Sequence, residues 1–313
     1  MKEHSNEVLN ELLSNKKLNL FSGRDKEFEF DRIKFGIPAL DKLTGGGIPK
    51  KRMTLLYGPT NVGKSYLASQ ICVNAQKEGG TVGWIDTELS WDASWVERCG
   101  LNLDNVAVNQ PANGEEALEV ARAMLQAGVD VVVLDSIAGL VPTQVAEEEF
   151  GYNPVAWQGR FVNAALPKLL NNLKFGSALI CINQVRSSLG PVSLEAMPGG
   201  MAQQFFAHSL LQVRRHGWIE ENKQRVGFDM EVRLRKSKIG GENWGSAIVP
   251  FRVSGGIDVI ESFIREAIDI GIIKRSGAWY TYGEEKAMGM NGIKGLFIDN
   301  ENLLEQLKKE VIK

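Results

Sequence analysis

Residues 53 to 76 join an apolar segment to a glycine-rich loop and then to a stretch with helical periodicity. They comprise the strand candidate Met53 to Tyr57, the loop Gly58-Pro59-Thr60-Asn61-Val62-Gly63-Lys64-Ser65 and the helix candidate Lys64 to Gln76. The loop fits the pattern G-x-x-x-x-G-K-[ST], and a strand before it with a helix after it is the context that this pattern requires. The segment therefore predicts an α/β protein whose first buried strand leads into a phosphate-binding loop.

The order of strand, turn and helix recurs over residues 31–255. Further strand and helix candidates are Thr81 to Ile85, Val131 to Leu134 and Ala178 to Ile182, and Gly114 to Ala127 and Val155 to Leu173. Near-continuous apolar strands that alternate with helices predict a largely parallel sheet covered on both faces. Three later segments have the pattern of strands joined by turns, and we expect them to pair antiparallel at the far edge of the sheet: Ser209 to Arg215, Arg225 to Lys236 and Ser246 to Val253.

Regions of different texture flank this core. Residues 1–30 are polar, with one short helical stripe formed by Val8, Leu9, Leu12 and Leu13. A helix of this length is marginal alone, so its stripe needs a covering surface, either in the same chain or in a neighbouring one. Residues 256–313 predict a small C-terminal domain with a helix over Ile257 to Ile270, a Gly-rich hairpin-like stretch and a final helix over Asn300 to Ile312.

Composition and charge argue against several classes of protein. Lys and Arg number 36 against 38 Asp and Glu, a formal net charge of −2, which excludes a globally basic nucleic-acid coat but leaves room for a local basic groove. Cys72, Cys99 and Cys181 are far apart in the sequence, which argues against a disulfide framework or a structural zinc site. The sequence shows no leader pattern and no apolar run that could cross a bilayer, so we expect a cytoplasmic protein without a membrane partner.

Polar residues at the strand ends add to the phosphate-binding loop. Loop N–H groups and the helix N-terminus would surround a polyphosphate, with Lys64 reaching the β- and γ-phosphates and the Ser65 hydroxyl completing a Mg²⁺ shell. Asp135 follows the strand Val131 to Leu134 and would serve the metal, with a plain turn aspartate as the alternative. Glu88 follows another strand, where a carboxylate can orient or deprotonate an attacking water.

Six collinear motifs resemble those of one family. They are the phosphate-binding loop, Trp84-Ile85-Asp86-Thr87-Glu88, Val131 to Ser136, Leu179 to Asn183 with Gln184 and Arg186 after it, Arg235-Lys236-Ser237-Lys238, and Gly277-Ala278-Trp279-Tyr280. Their order and spacing resemble those of bacterial RecA recombinases from about residue 30 to the end. The resemblance implies an N-terminal helix and strand for polymerisation (1–30), a RecA-like P-loop ATPase core with a mostly parallel central sheet (31–255) and a small α/β C-terminal domain (256–313).

The resemblance also implies an activity. A RecA-like protein uses ATP and Mg²⁺, forms helical homo-oligomeric filaments on single-stranded DNA, pairs that strand with homologous double-stranded DNA, and hydrolyses ATP in response to DNA. The same core also suits a ring-forming helicase or clock-type signalling ATPase, against which the paired lysines and the GAWY segment weigh. A recombination mediator that binds ATP without turnover is a third candidate, against which Glu88 weighs. The loop interior Thr60-Asn61-Val62 and the basic C-terminal end favour a bacteriophage-encoded or otherwise remote member.

Four positions match the family's own-subunit nucleotide contacts. By this resemblance, Glu88 is the catalytic carboxylate, and Gln184 senses the γ-phosphate at the root of a DNA-binding loop. The adenine would stack on Trp95 near Asp92. A core tryptophan is the competing interpretation of Trp95.

Two further positions match contacts to the nucleotide of the adjoining subunit, Lys236 and Lys238. Cations supplied across an interface stabilise charge on a transferred phosphoryl group, so the resemblance implies that hydrolysis requires a filament. Without the resemblance, a solvated basic strand end is the alternative interpretation of both lysines.

Residues 151–194 form a cationic zone that suits a polyanion, because they lack Asp and Glu and contain Arg160, Lys168, Lys174 and Arg186. By resemblance, two loops in this region hold single-stranded DNA, about Glu147 to Trp157 and about Val185 to Gly200. Positions that match contacts to this strand are Arg160, Asn163, Arg186, Gly199 and Gly200, with Val192, Leu194 and Met197 as apolar candidates for wedging between bases. Positions that match a second, weaker DNA site are Arg214, Arg215 and Arg233, although Glu231 stands where the family carries another cation.

Overall fold

The computed structural model of the protein describes residues 2–18, 20–23, 29–143, 154–187 and 195–312. These residues form two units, 1–31 and 32–313. The first unit holds helix α1 (Lys2–Ser14), on which the side chains of Val8, Leu9 and Leu12 are exposed. The stripe predicted from the sequence therefore lies on a helix.

Strands and helices alternate along the second unit. Its strands are β1 (Arg32–Ile33), β2 (Ile48–Pro49), β3 (Met53–Gly58), β4 (Val82–Asp86), β5 (Val106–Asn109), β6 (Val131–Asp135), β7 (Ala178–Gln184), β8 (Arg186–Ser187), β9 (Glu195–Ala196), β10 (Ser209–Glu221), β11 (Gln224–Ser237), β12 (Ser246–Arg252), β13 (Gly256–Ile257), β14 (Lys274–Ser276), β15 (Trp279–Tyr282) and β16 (Glu285–Met288). Its α-helices are α2 (Pro38–Thr44), α3 (Lys64–Lys77), α4 (Ala93–Arg98), α5 (Gly114–Gln126), α6 (Pro154–Leu170), α7 (Ala202–Phe206), α8 (Val259–Asp269), α9 (Gly289–Asp299) and α10 (Glu301–Ile312). No helix in the described part of the chain is long and apolar enough to cross a membrane.

Nine strands form the central sheet, in the order β13-β12-β11-β10-β3-β7-β6-β4-β5. The six strands from β10 to β5 are parallel, and β11, β12 and β13 continue antiparallel to the edge. This order confirms the predicted parallel sheet with antiparallel strands at its far edge. The carboxyl ends of β3, β4, β6 and β7 consequently meet at one edge, where ligands bind in such sheets.

Alternation along the strands sends apolar side chains into two cores, one on each face of the sheet. Along β6, Val131 and Val133 belong to the core that includes α3, while Val132 and Leu134 belong to the core that includes α5 and α6. Burying a side chain of this size contributes about 1.5–3 kcal/mol relative to leaving it in water. Since both faces are covered, the strand is apolar along its whole length, which is the pattern that identified it in the sequence.

The C-terminal residues pack around a core of their own, which includes Phe263, Tyr282 and Phe297. The expected hairpin-like stretch forms the three-stranded antiparallel sheet β14-β15-β16, but it ends earlier than predicted, because residues 289–299 form helix α9. Glycine weakens a helix by about 1 kcal/mol per residue, and the glycines of this segment obscured it in the sequence. Burial of Ile293 and Phe297 on one side of α9 outweighs that cost.

Ion pairs attach α8 to the edge of the central sheet. Glu261 of α8 is 2% exposed. Its carboxylate accepts from Nη2 of Arg252 on β12 at 2.7 Å and from Nη2 of Arg265 at 2.6 Å. Nη1 of Arg265 also donates to Asp229 of β11 at 2.7 Å. One buried carboxylate thus links two guanidinium groups and joins α8 to the central sheet.

We expect Glu261→Gln to lower the free energy of unfolding by about 2 kcal/mol, because two guanidinium groups lose the carboxylate that they share. Urea denaturation followed by circular dichroism measures the change. Glu305→Gln is the matched control, since it removes an exposed pair with Lys308 on α10 and should leave the midpoint unchanged. Equal midpoints for the two variants would contradict a structural role for the buried pair.

Candidate active site

The loop between β3 and α3 takes its shape from two close approaches. A Cβ on Gly58 would lie 2.0 Å from the carbonyl oxygen of Val213, and a Cβ on Gly63 would lie 2.5 Å from Cε of Met230. Gly63 also has a φ of 87°, in the left-handed region that favours glycine. The backbone of Val213 thus requires glycine at position 58, and the left-handed backbone requires it at position 63, in a loop whose N–H groups can turn around an anion.

A cavity of about 490 Å³ opens beside this loop. Its walls include the loop residues Thr60, Asn61, Val62, Gly63, Lys64 and Ser65, together with Glu88, Asp92, Trp95, Asp135 and Gln184. Gly58 and Pro59 precede these residues at the end of β3. The fold thus brings the residues predicted for the nucleotide of the same subunit to one place, from four separate segments of the chain.

Lys64 is the first residue of α3, and its side chain folds back into the phosphate-binding loop. Its side chain is buried, and its Nζ donates to the carbonyl oxygens of Gly58 at 3.1 Å and Pro59 at 2.5 Å. Burial lowers the pKa of Lys64, while the nearby charges of Asp135 and Glu88 act in the opposite direction. The ammonium group is therefore placed where phosphate oxygens could replace two carbonyl oxygens as its partners.

Asp135 ends β6 next to the start of α3, and its carboxylate accepts a hydrogen bond from the Ser65 hydroxyl. Burial raises the pKa of Asp135 to about 6, and the charges of Glu88 and Asp86 add to that effect. A hydroxyl beside a carboxylate is the set of hard oxygen donors that suits Mg²⁺. The described residues hold no group of three or more His, Cys, Asp or Glu arranged for a metal.

Glu88 lies just beyond the end of β4 and is exposed to the cavity side of the sheet edge. Its Oε1 accepts from the Ser136 hydroxyl at 2.5 Å and from Nε2 of Gln184 at 2.6 Å. Gln184 ends β7, so residues that follow three neighbouring strands converge on one carboxylate oxygen. The predicted catalytic carboxylate and the predicted γ-phosphate sensor are therefore in direct contact.

Aromatic side chains line the other end of the cavity. Asp92 caps the N-terminus of α4 by accepting from the backbone N–H of Trp95 at 3.1 Å. The half-buried Trp95 ring lies edge-on to Tyr66 with the ring centres 5.0 Å apart, and Tyr66 contacts Phe251 in the same way at 4.8 Å. This wall offers apolar, polarisable surface to a planar base.

Lys236 and Lys238 lie elsewhere. Both ammonium groups donate to the carbonyl oxygen of Phe205, at the end of α7, and Lys236 also donates to that of Gln204. Ser237 pairs with Ser209, which pairs with Thr54 near the start of β3, whereas the phosphate-binding loop follows the end of β3. A six-residue strand spans about 20 Å. The chain therefore does not bring these two lysines to its own cavity.

The residues predicted to bind single-stranded DNA cluster near the start of α7. A Cβ on Gly200 would lie 3.7 Å from Cα of Gly159, next to the exposed Arg160, and one on Gly199 would lie 3.3 Å from Cγ2 of Val162. Asn163 is exposed on the same helix, α6, and the backbone of Arg186 pairs with Ala196. Residues 147–153 and 188–194 of the two predicted loops lie outside the described residues, and Val192 and Leu194 lie there with them.

Amide groups hold the end of the second loop. Nδ2 of Asn183 donates to the carbonyl oxygen of Pro198 at 2.8 Å and to Oε1 of Gln203 at 2.7 Å. Nε2 of Gln203 donates to the carbonyl oxygens of Pro198 and Gly200. The segment around Gly199 is thus tied to the residue that precedes Gln184.

The predicted second DNA site is divided between two faces of the β10–β11 pair. Arg214 lies opposite Glu231 in the β10–β11 ladder, and Nε of Arg233 lies 2.9 Å from the Glu231 carboxylate. Arg215 follows Arg214 and points to the opposite face, where its guanidinium lies 4.2 Å from the ring centre of Trp218. Glu231 offsets positive charge beside Arg233, which is the effect expected from an acid at this position.

Sequence reasoning missed several residues of the site. Ser136 is adjacent to the predicted Asp135, so its place after a strand end was a usable signal. Tyr66 and Phe251 line the cavity from α3 and β12, and no local pattern in the sequence marks them. Thr87, whose hydroxyl bonds to the backbone of Ser136, lies within the Trp84 to Glu88 motif, but nothing local in the sequence indicates this bond.

Comparisons with known proteins agree with this geometry. Residues 14–255 match the family model of the RecA N-terminal domain, and residues 262–313 match that of the RecA C-terminal domain. A curated relative from Aquifex pyrophilus named Protein RecA is 37% identical over 289 residues, covering 90% of this chain and 83% of that protein. Proteins of the same name from Acidothermus cellulolyticus and Chlorobaculum parvum are 36% and 35% identical over 295 and 292 residues, covering 92% and 89% of this chain and 85% and 82% of theirs. The chain therefore belongs to the RecA family and is a DNA-dependent ATPase that acts as an ATP-dependent recombinase.

Proposed function

We propose that this recombinase binds ATP with Mg²⁺ in the cavity beside the phosphate-binding loop and uses the bound nucleotide to control its grip on single-stranded DNA. The observation that carries the proposal is the contact of Glu88 with Gln184, 2.6 Å apart at the edge of the sheet. In this proposal, Glu88 acts on the γ-phosphate side, and Gln184 begins the segment that leads to the second DNA loop.

The loop and the strand ends divide the work at the nucleotide. Lys64 and the loop N–H groups bind the phosphates, and Glu88 holds and deprotonates the attacking water. A Mg²⁺ ion held by Ser65 and Asp135 would supply positive charge to the β- and γ-phosphate oxygens. Trp95 and Asp92 bind the adenine end, since they stand at the aromatic wall of the cavity.

Gln184 transmits the state of the nucleotide to the DNA side. The Gln184 amide donates a hydrogen bond to Glu88. A γ-phosphate would compete for that amide, because a charged acceptor makes the stronger hydrogen bond. Asn183 is bonded to the end of the second loop, so a shift at the end of β7 reaches Gly199 and Gly200 through Pro198 and Gln203.

Single-stranded DNA is the proposed primary partner. Arg160, Asn163, Arg186, Gly199 and Gly200 would contact it mainly through phosphates, which makes binding tolerant of sequence and sensitive to salt. Double-stranded DNA is the proposed partner of the weaker site, which contains Arg214, Arg215 and Arg233. Base pairing between the two DNAs would then supply the specificity.

The active assembly is a helical filament of identical subunits. Lys236 and Lys238 stand at the opposite edge of the sheet from the cavity, as a contact to the neighbouring subunit's nucleotide requires. A head-to-tail contact of this kind does not close and therefore propagates. In this proposal, residues 1–30 dock on the next subunit, 31–255 form the ATPase core and 256–313 form the C-terminal domain.

We expect ATP hydrolysis to be slow without DNA and to rise many-fold when single-stranded DNA is added. Phosphate release in the presence and absence of a synthetic oligonucleotide measures this, and a duplex of the same sequence serves as the control. A rate that does not respond to DNA would contradict the proposed coupling. Electron microscopy of the same mixture distinguishes filaments from the rings that a helicase or clock-type ATPase would form.

A further inference from the structure

The hydroxyl of Thr87 fastens two strand ends together. Its Oγ1 accepts from the backbone N–H of Ser136 at 2.8 Å and donates to the carbonyl oxygen of the same residue at 2.8 Å. The backbone N–H of Thr87 donates to the carbonyl oxygen of Asp135, also at 2.8 Å. The residue that precedes Glu88 therefore fixes the backbone on both sides of the Asp135–Ser136 peptide.

The hydrogen bonds from Thr87 to the backbone of Ser136 also restrict the side chain of Ser136. Ser136 is buried, and its hydroxyl donates to Oε1 of Glu88 at 2.5 Å. Burial and a doubly bonded backbone leave the hydroxyl little freedom, so the direction of its hydrogen bond is set by the fold. The carboxylate, in contrast, is on an exposed side chain and depends on its partners for its orientation.

We propose that Ser136 is a positioning residue for Glu88 and that Thr87 holds Ser136 in the orientation that this requires. The inference rests on the proposed role of Glu88 as the carboxylate that orients the attacking water. It adds two residues to the machinery of hydrolysis, neither of which needs to touch ATP.

The arrangement on the carboxylate explains why a second donor is needed. Ser136 and Gln184 both donate to Oε1 of Glu88, so neither of these two bonds is made to its Oε2. When Gln184 turns to a γ-phosphate, Ser136 remains as the donor that holds Oε1. The carboxylate then keeps Oε2 directed at the water throughout the nucleotide cycle. A general base works only within hydrogen-bond reach of the proton that it takes, so a rotated carboxylate loses rate without losing substrate.

The experiment compares kcat and KM for ATP in full-length variants with saturating single-stranded DNA. We expect Ser136→Ala and Thr87→Val to lower kcat about tenfold, because small displacements of a catalytic group are costly. KM for ATP and affinity for the oligonucleotide should stay at the wild-type values. Thr87→Ser keeps the hydroxyl and should restore most of the rate.

Thr81→Val is the matched control. Thr81 stands just before the other end of β4, where its hydroxyl likewise accepts from and donates to one residue, Asp130. The variant tests the loss of a threonine hydroxyl next to the same strand without a change at Glu88, and we expect wild-type kcat. Thermal melting of every variant identifies any that fail to fold.

The outcomes separate this inference from the proposed function. If Glu88→Gln is inactive while Ser136→Ala and Thr87→Val turn over at the wild-type rate, the positioning role is overturned and the proposed function stands. If Glu88→Gln itself turns over normally, the role of Glu88 fails and the inference with it. A parallel loss of kcat, ATP affinity and melting temperature, or no rescue by Thr87→Ser, would show that the two hydroxyls only stabilise the fold. Should Ser136→Ala not fold, the Thr87 pair decides alone.

Discussion

Glu88→Gln is expected to lower DNA-stimulated ATP hydrolysis at least about a hundredfold, the range lost when a general base is removed. The substitution keeps the size of the side chain and its place between Ser136 and Gln184. An amide cannot accept the proton of the attacking water, so only the chemical step should suffer. ATP binding and filament formation on single-stranded DNA should persist, and filaments should last longer because hydrolysis no longer releases them.

Phosphate release and negative-stain microscopy on the same sample test both halves of this expectation. Glu119→Gln is the matched control, since it removes an exposed pair with Arg122 on α5, and neither residue lines the cavity. It should hydrolyse ATP at the wild-type rate. Normal turnover by Glu88→Gln would sink the catalytic assignment, whereas loss of both turnover and filaments would give Glu88 a structural role instead.

Much of the fold follows from periodicity, because buried parallel strands leave an unambiguous trace. Val131 to Asp135 is apolar until its last residue since both faces of β6 are covered, and the same reasoning located β3 and β7. Helix α9 was not predicted, because its stability comes from contacts of Ile293 and Phe297 with residues distant in sequence. Local helix propensity does not reflect such contacts.

In the candidate site too, local patterns predict some residues, whereas other contacts form only when the chain folds. Lys64 and Ser65 follow from a local motif whose spacing the phosphate dictates, and Asp135 follows from the end of a strand. The bond between Ser136 and Glu88 joins residues 48 positions apart, and nothing near either residue in the sequence announces it. Pairing of adjacent parallel strands creates that contact, so it becomes visible only when the register of β4 against β6 is known.

We expect the second large effect on ATP hydrolysis from the removal of Lys236 and Lys238, which lie away from the cavity of their own chain. The double variant Lys236→Ala, Lys238→Ala should lose at least about a hundredfold of DNA-stimulated turnover, because charge on the transferred phosphoryl group would lack its cations. Binding of ATP to the isolated subunit should be unchanged, since neither lysine lines the cavity. Lys308→Ala with Lys309→Ala on α10 is the matched control for the loss of two cations.

Mixing two inactive variants tests whether the lysines act across an interface. One subunit carries Lys64→Ala and keeps Lys236 and Lys238, and the other keeps Lys64 and carries the double substitution. In a filament assembled from equal amounts, one junction in four joins an intact cavity to intact lysines, so turnover should return to about a quarter of the wild-type rate. A mixture as inactive as its components, in filaments that microscopy shows to contain both subunits, would place both lysines outside the neighbouring site. Recovery would require the nucleotide to lie between subunits, because neither chain alone holds a complete set of charges.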